Sequence, residues 1–323
     1  MNSFYHRKSS PIYTVLPLLL IILTAAIPAE ACTSMIVSAR ASASGRPLLW
    51  KHRDTGTDNN FLQRVDAMND YQGYVALFNA GDSLLSEAWM GMNDSGFAIM
   101  NTASYNLAPD TATLKDQEGV VMTIALQKCV TVDDFEQLLR ILPKPLGVQA
   151  NFGVFDAHGG AAYFETSDWY WTRFDVDDSA NGVIIRTNYS FTGTEGNGYG
   201  YIRYNTAEIL TRKAIENKCV TPELLTETLS RSFYHSLLDC DYAEESIQYV
   251  VNQDFIPRDI STASIVVEGI VQGQSPDSIR MWAIVGYPPC APVELVTLSE
   301  IPSGFQPIGT EFRSPACDEA MNL

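Results

Sequence analysis

Basic residues are scarce in this 323-residue chain, which has 21 lysines and arginines against 38 aspartates and glutamates. The formal net charge of -17 argues against nucleic acid and anionic lipid as partners, because both would repel an acidic protein. There are only four histidines and six cysteines, and no C-x-x-C pair, so the sequence predicts no metal site. The glycines at 193–200 lack the strand-to-helix setting of a phosphate-binding loop and are interpreted as a flexible loop, so no cofactor is predicted.

Long apolar runs are also rare, and the clearest one, residues 12–27, lies at the start of the chain. Basic residues precede it, and Ala29 and Ala31 follow it in an A-x-A arrangement. This pattern is typical of a secretory signal peptide cleaved after Ala31, and the run is too short for a stable membrane anchor. We therefore expect residues 1–31 to be removed and the protein to be exported, to the periplasm or the extracellular space.

Cleavage at that position would make Cys32 the first residue of the mature protein, with its thiol and a free α-amine on one residue. A nucleophile next to a base is the basic unit of covalent catalysis, and an α-amine titrates at about 7.7–8.0, close to neutral pH. Two other interpretations remain open for Cys32. It could carry the lipid of a lipoprotein, although Ala29 and Glu30 fit that signal poorly, or it could be an ordinary disulfide cysteine.

The residues after Cys32 predict a β-hairpin. Two apolar stretches, 33–39 and 47–52, flank the turn-forming residues 41–45. Antiparallel neighbours lie about 5 Å apart, so the end of the second strand returns to the start of the chain. Asp54 or its neighbours could then reach the α-amine of Cys32.

The rest of the chain alternates between strand and helix patterns, with polar side chains at several strand ends. Asn101 ends one predicted strand and Asn188 ends another. Strands are predicted at 74–79, 87–92, 97–101, 151–156, 161–165, 183–188, 264–267 and 281–285. Helices are predicted at 120–130, after the cap Thr131, at 201–218, and after the cap Thr221 to about 233. The whole chain is 46% hydrophobic, enough for a sizeable core. Residues 32–323 are predicted to form one α+β domain with a weakly patterned tail after about 302.

Together these motifs resemble those of the N-terminal nucleophile hydrolases of the choloylglycine hydrolase and penicillin V acylase type, and of the related acyltransferases of penicillin synthesis. The matching stretches are Cys32-Thr33-Ser34, Lys51-His52-Arg53-Asp54, residues 92–97 followed by Asn101, and Arg186-Thr187-Asn188. The resemblance implies a four-layered αββα sandwich and cleavage of linear, non-peptide amides in small acyl-amide substrates. It also leaves a homo-oligomer open.

The resemblance also implies roles for individual residues. Cys32 attacks the amide carbonyl and forms an acyl-thioester, with its own amine as the base, and Asp54 holds that amine. Asn101 donates to the oxyanion, and Asn188 hydrogen-bonds around the nucleophile and its amine. An acyltransferase would use the same residues, so this alternative stays open beside the hydrolase and the non-enzymatic lipoprotein.

Two departures from the family pattern concern basic residues. Lys51 stands where bile-salt hydrolases carry arginine, and Arg53, the other candidate for substrate binding, points to the opposite face from His52 and Asp54. A further family arginine is not found in the later strand, where Thr262-Ala263-Ser264 stand. These departures argue against bile salts as substrates and leave general amide hydrolysis as the expectation.

Overall fold

The computed structural model describes residues 31–108, 111–243 and 252–322. The predicted signal peptide lies outside the described residues, except for Ala31. Within the described part of the chain, no helix is long and apolar enough to cross a membrane.

Antiparallel strands dominate the fold. The described strands are β1 (Cys32–Val37), β2 (Leu48–Asp54), β3 (Asn60–Val65), β4 (Tyr74–Asn79), β5 (Met90–Asn93), β6 (Ala98–Ala103), β7 (Ala150–Phe155), β8 (Ala161–Thr166), β9 (Trp171–Asp175), β10 (Val183–Arg186), β11 (Tyr234–His235), β12 (Cys240–Asp241), β13 (Ser261–Glu268), β14 (Arg280–Val285) and β15 (Glu294–Thr297). One sheet has six strands in the order β10-β1-β2-β13-β14-β15, and another has seven in the order β3 to β9. β11 and β12 form a separate short pair.

Four helices accompany the sheets in the described residues: α1 (Glu118–Lys128), α2 (Val132–Ile141), α3 (Tyr201–Glu216) and α4 (Pro315–Met321). Alternation along each strand decides which layer a side chain enters. In β1, for example, Ile36 joins the core between the two sheets, whereas Met35 joins the core under α3. Phe135 of α2 packs in a third core on the outer face of the seven-stranded sheet. The layers are therefore helix, sheet, sheet and helix, which confirms the predicted αββα sandwich.

Several predicted elements are observed with small shifts at their ends. The strand at 74–79 has the predicted bounds, and Thr131 caps α2 through a capping box with Asp134. The helix predicted after Thr221 is shorter, with irregular turns at Leu224–Thr228 and Leu229–Arg231. The sequence did not predict β3, β9, β11, β12, β15 or α4. The tail after residue 302, which is weakly patterned in sequence, packs against the rest of the domain, because Cys317 of α4 is fully buried in the core between the sheets.

Candidate active site at the start of the first strand

The β1–β2 hairpin places the predicted nucleophile next to the end of β2. Cys32 lies opposite Arg53 in the register of the two strands. The backbone nitrogen of Asp54 donates to the carbonyl oxygen of Ala31 at 3.0 Å, so Asp54 lies against the Ala31–Cys32 peptide bond. The predicted proximity of Asp54 to the chain start is therefore observed.

Cys32 itself is nearly buried, with 7% of its surface exposed. Its backbone nitrogen, here a peptide nitrogen because Ala31 precedes it, donates to Oδ1 of Asn188 at 3.0 Å. Its carbonyl oxygen accepts from Nη1 of Arg203 at 2.8 Å. Both backbone polar groups of Cys32 are thus held by side chains from distant parts of the sequence, which fixes the orientation of the residue.

Asn188 is the centre of this arrangement. Besides the contact with Cys32, its Oδ1 accepts from Nη2 of Arg203 at 2.7 Å, and its Nδ2 donates to the carbonyl oxygen of Ala103 at 3.0 Å. Each end of the side-chain amide therefore has a partner that suits only that end. The structure brings together Asn188 and the Cys32 nitrogen, as the resemblance implies. The contact of Asp54 with the free amine stays a prediction, because the nitrogen is here part of the Ala31–Cys32 peptide bond.

Arg203 was not predicted as a site residue. It lies in the first turn of α3, is 1% exposed, and also donates to Oγ1 of Thr33 at 2.9 Å. Burial lowers the pKa of Arg203 to about 10, which leaves the guanidinium charged at neutral pH. Gly200, which precedes α3 with φ of 89°, makes room for it, because a Cβ there would lie 2.7 Å from Nη2 of Arg203.

The carboxylate of Asp54 contacts a second group of residues. One oxygen accepts from the hydroxyl of Ser261, and the other lies 3.0 Å from Nε of Arg258. Burial raises the pKa of Asp54 above its ordinary value, and the neighbouring guanidinium groups of Arg258 and Arg203 oppose that shift. His52, whose Nε2 lies 3.0 Å from the same serine oxygen, has its pKa lowered to about 3 by burial and is therefore neutral.

Arg258 is a second arginine at the site that was not predicted from the sequence. The resemblance implies an arginine near the later strand, where Thr262-Ala263-Ser264 stand instead. The structure supplies a guanidinium from the loop four residues before Thr262, and it reaches the predicted acid Asp54. Loop residues are difficult to assign in this way, since their side-chain direction follows no strand or helix period.

Asn101 lies on β6 of the seven-stranded sheet, which packs against β1 and β2. Its Oδ1 accepts from Nζ of Lys51 at 2.7 Å. Among the described residues, the hydrogen bond of this side chain is at its oxygen end only, and 4% of the residue remains exposed. A donor without a protein acceptor is what an oxyanion site requires before substrate binds.

Lys51 and Arg53 share one face of β2, and both contact Trp89. The guanidinium of Arg53 lies 4.9 Å from the centre of the Trp89 ring and donates to the side-chain oxygens of Asn60 and Asn79. Both residues are 2% exposed. Side chains alternate along β2 as predicted. The sequence predicted that Lys51 and Arg53 bind substrate, whereas the contacts given above join both cations to other residues of the protein.

Comparisons with known proteins concern the fold. No protein-family model matches the sequence, and no curated protein matches it. Among solved structures, a mutant of conjugated bile acid hydrolase from Clostridium perfringens is 12% identical with a TM-score of 0.49, covering 84% of this chain and 93% of that one. Penicillin V acylase from Agrobacterium tumefaciens is 11% identical with a TM-score of 0.46, covering 84% and 87%. An N-acylethanolamine-hydrolyzing acid amidase orthologue from Caenorhabditis elegans is 11% identical with a TM-score of 0.45, covering 82% and 100%.

At such identities and TM-scores these structures assign no role to any residue of this chain. The functional argument therefore rests on the site itself, in which Cys32, Asn188 and Arg203 form one connected group, Asp54, Ser261 and Arg258 a second, and Lys51 and Asn101 a third.

Proposed function

We propose that this protein is an exported cysteine amidohydrolase that cleaves a linear, non-peptide C–N bond in a small acyl-amide through an acyl-thioester on Cys32. The observation that carries the proposal is the contact between the Cys32 nitrogen and Asn188 at 3.0 Å. Any buried N–H needs a partner, but here the partner is a side-chain oxygen whose direction is itself fixed by Arg203 and by the carbonyl oxygen of Ala103. A catalytic α-amine would have to be held in one direction in this way.

The proposed reaction begins after removal of the residues before Cys32. The free α-amine takes the proton of the thiol, and Sγ attacks the amide carbonyl carbon, so that an S–C bond forms and negative charge develops on the oxygen. Nδ2 of Asn101 donates to that oxygen. The C–N bond then breaks as the amine proton passes to the leaving nitrogen. Water attacks the thioester in the second half, and the carboxylic acid leaves as Cys32 regains its proton.

The contacts of Cys32 also support the enzyme over the lipoprotein alternative. A lipid-bearing cysteine must reach the membrane surface, but Cys32 is 7% exposed and lies in a strand that is paired on both sides, with β2 and β10. The buried Arg203 beside it would lose its contact with the carbonyl oxygen of Cys32 if the residue moved outward.

The proposal is tested with the mature protein, beginning at Cys32, and a panel of acetyl, hexanoyl, phenylacetyl and palmitoyl p-nitroanilides. We expect release of p-nitroaniline from at least one member, and loss of nearly all turnover in Cys32→Ser with an unchanged melting temperature. Hydroxylamine added in parallel would give the hydroxamate if the thioester passes to an amine. A folded Cys32→Ser variant with wild-type turnover would refute the assigned nucleophile.

A further inference from the structure

Lys51 is a buried lysine whose ammonium group contacts the proposed oxyanion donor. Its Nζ donates to Oδ1 of Asn101 at 2.7 Å and to the carbonyl oxygen of Trp89 at 2.9 Å, and it lies 5.9 Å from the centre of the Trp89 ring. The side chain therefore bridges β2 of one sheet and β6 of the other. These contacts differ from those of a side chain that reaches out to bind substrate.

The chemistry of the two groups makes the contact directional. An ammonium group has three donors and no acceptor, whereas a side-chain amide has an accepting end and a donating end. Lys51 can therefore bind only the oxygen end of Asn101. Rotation of the amide by 180° would bring its N–H groups against the N–H groups of the ammonium and would lose a charge-assisted hydrogen bond.

The nitrogen end of the Asn101 amide, Nδ2, is the end that can donate to an oxyanion. With Oδ1 on Lys51, Nδ2 points away from the ammonium, and no hydrogen bond joins it to another of the described residues. Oxyanion donors contribute most when their direction is fixed before the charge develops, because no reorganisation is then needed during the reaction. A freely rotating amide would present its oxygen to the developing negative charge for part of the time.

We propose that Lys51 is a positioning residue, which fixes the amide of Asn101 with Nδ2 aimed at the carbonyl oxygen of the bound acyl group. This inference rests on the proposed function, in which Asn101 is the oxyanion donor. It replaces the substrate-binding role that the sequence resemblance implies for Lys51. The lysine acts through Asn101 and does not touch the substrate.

A double-mutant cycle with Lys51→Met and Asn101→Ala tests the proposal on the p-nitroanilide that wild type cleaves fastest. Methionine keeps the volume of the stem and leaves no buried charge. We expect Lys51→Met alone to lower kcat by about tenfold or more with KM within about twofold, since the contact matters only in the transition state. In the Asn101→Ala background the same change should lower kcat by less than about threefold, because the residue it positions is gone.

Lys51→Arg provides the conservative variant and should recover part of the lost kcat, because a guanidinium also donates to Oδ1. Lys144→Met is the matched control, since Nζ of Lys144 also donates to a backbone carbonyl oxygen, that of Leu139, but in the outer helical layer. It should leave kcat and KM unchanged. Turnover is normalised to the amount of Cys32 that reacts with iodoacetamide, and melting is measured for each variant.

Two results would overturn the positioning role. Losses that multiply in the double variant would show that Lys51 acts independently of Asn101. A rise in KM at constant kcat would show direct contact with substrate. If Lys51→Met does not fold, Lys51→Arg and Lys51→Gln, which keep a donor, are compared in both backgrounds by the same criterion. Failure of the proposed function is distinguished at the outset, because wild type would then lack turnover that depends on Cys32.

Discussion

Replacement of Arg203 is the strongest test of which contacts hold this site together. Arg203→Met removes three contacts that join α3 to the start of β1 and to Asn188, with donor–acceptor distances of 2.7–2.9 Å. Methionine fills much of the same space and introduces no new charge. The variant therefore removes the donors while preserving most of the packing.

The expected loss follows from those contacts. Hydrogen bonds to a charged group contribute about 1.5–3 kcal/mol each, but the desolvation cost of a guanidinium that is 1% exposed offsets part of the total. We expect a net loss of about 3 kcal/mol in the free energy of unfolding. For domains of about 150–250 residues, 1 kcal/mol shifts the melting temperature by roughly 2–4 °C, so melting should fall by roughly 6–12 °C. Turnover should fall by about a hundredfold in the folded protein, because the direction of Asn188 and of the Cys32 nitrogen is no longer fixed.

The assay is thermal unfolding together with p-nitroanilide turnover at a temperature where the variant is fully folded. Arg212→Met is the control, since Arg212 is an exposed arginine on the same helix, and it should change the free energy of unfolding by less than about 0.5 kcal/mol. If Arg203→Met melted like wild type and kept its turnover, the hydrogen bonds of Arg203 would contribute neither to stability nor to turnover. The inference that they orient Cys32 and Asn188 would then be refuted.

Three further predictions follow from the same site. Protein purified with an intact residue before Cys32 should be inactive, because the nitrogen is then an amide and cannot accept a proton; full activity from a Met-Cys32 terminus verified by mass spectrometry would contradict the α-amine mechanism. Asn101→Ala should lower kcat by roughly a hundredfold with little change in KM, and Asn188→Ala should also alter the pH profile of turnover; normal turnover with a melting loss of about 1 kcal/mol would make both residues structural. Burial lowers the pKa of His52 to about 3, so the folded state disfavours protonation of this side chain. Its contribution to the free energy of unfolding is therefore fully present above the ordinary pKa of 6.5 and is lost as pH falls towards 3. Urea unfolding of wild type should therefore lose about 1.4 kcal/mol per pH unit below 6.5 from this group, and His52→Gln should show a slope shallower by that amount.

The sequence was sufficient for the features that depend on local pattern. Alternation along β2 correctly separated Lys51 and Arg53 from His52 and Asp54, and the turn at 41–45 correctly brought residue 54 back to Cys32. The cap at Thr131 was recognisable from a threonine followed directly by acidic residues, and the structure adds a capping box with Asp134. The fold class followed from the order of the hairpins and helices and from the family resemblance.

The sequence was insufficient where a residue acts across layers. Arg203 belongs to a helix packed on the outer face of the six-stranded sheet, and its distance of 171 residues from Cys32 leaves no local signal for their contact. Arg258 lies in a loop, where no period fixes the direction of a side chain. The strand β9 was missed for a related reason, since it is an edge strand with no fully buried residue, and its alternation is correspondingly weak.

Gly200 is a feature of the sequence that is related to the contacts of Arg203 with Cys32 and Asn188. The glycines at 193–200 were interpreted as a flexible loop, yet Gly200 has a specific use at the start of α3. Its φ of 89° is unfavourable for other residues, and a Cβ would meet Thr187 at 2.9 Å as well as Arg203 at 2.7 Å. A glycine directly before a helix whose first turn carries an arginine is therefore compatible with a guanidinium folded back towards the helix start. The turn brings that charge to the polar strand end at Asn188, so one position with no side chain allows α3 to approach Cys32.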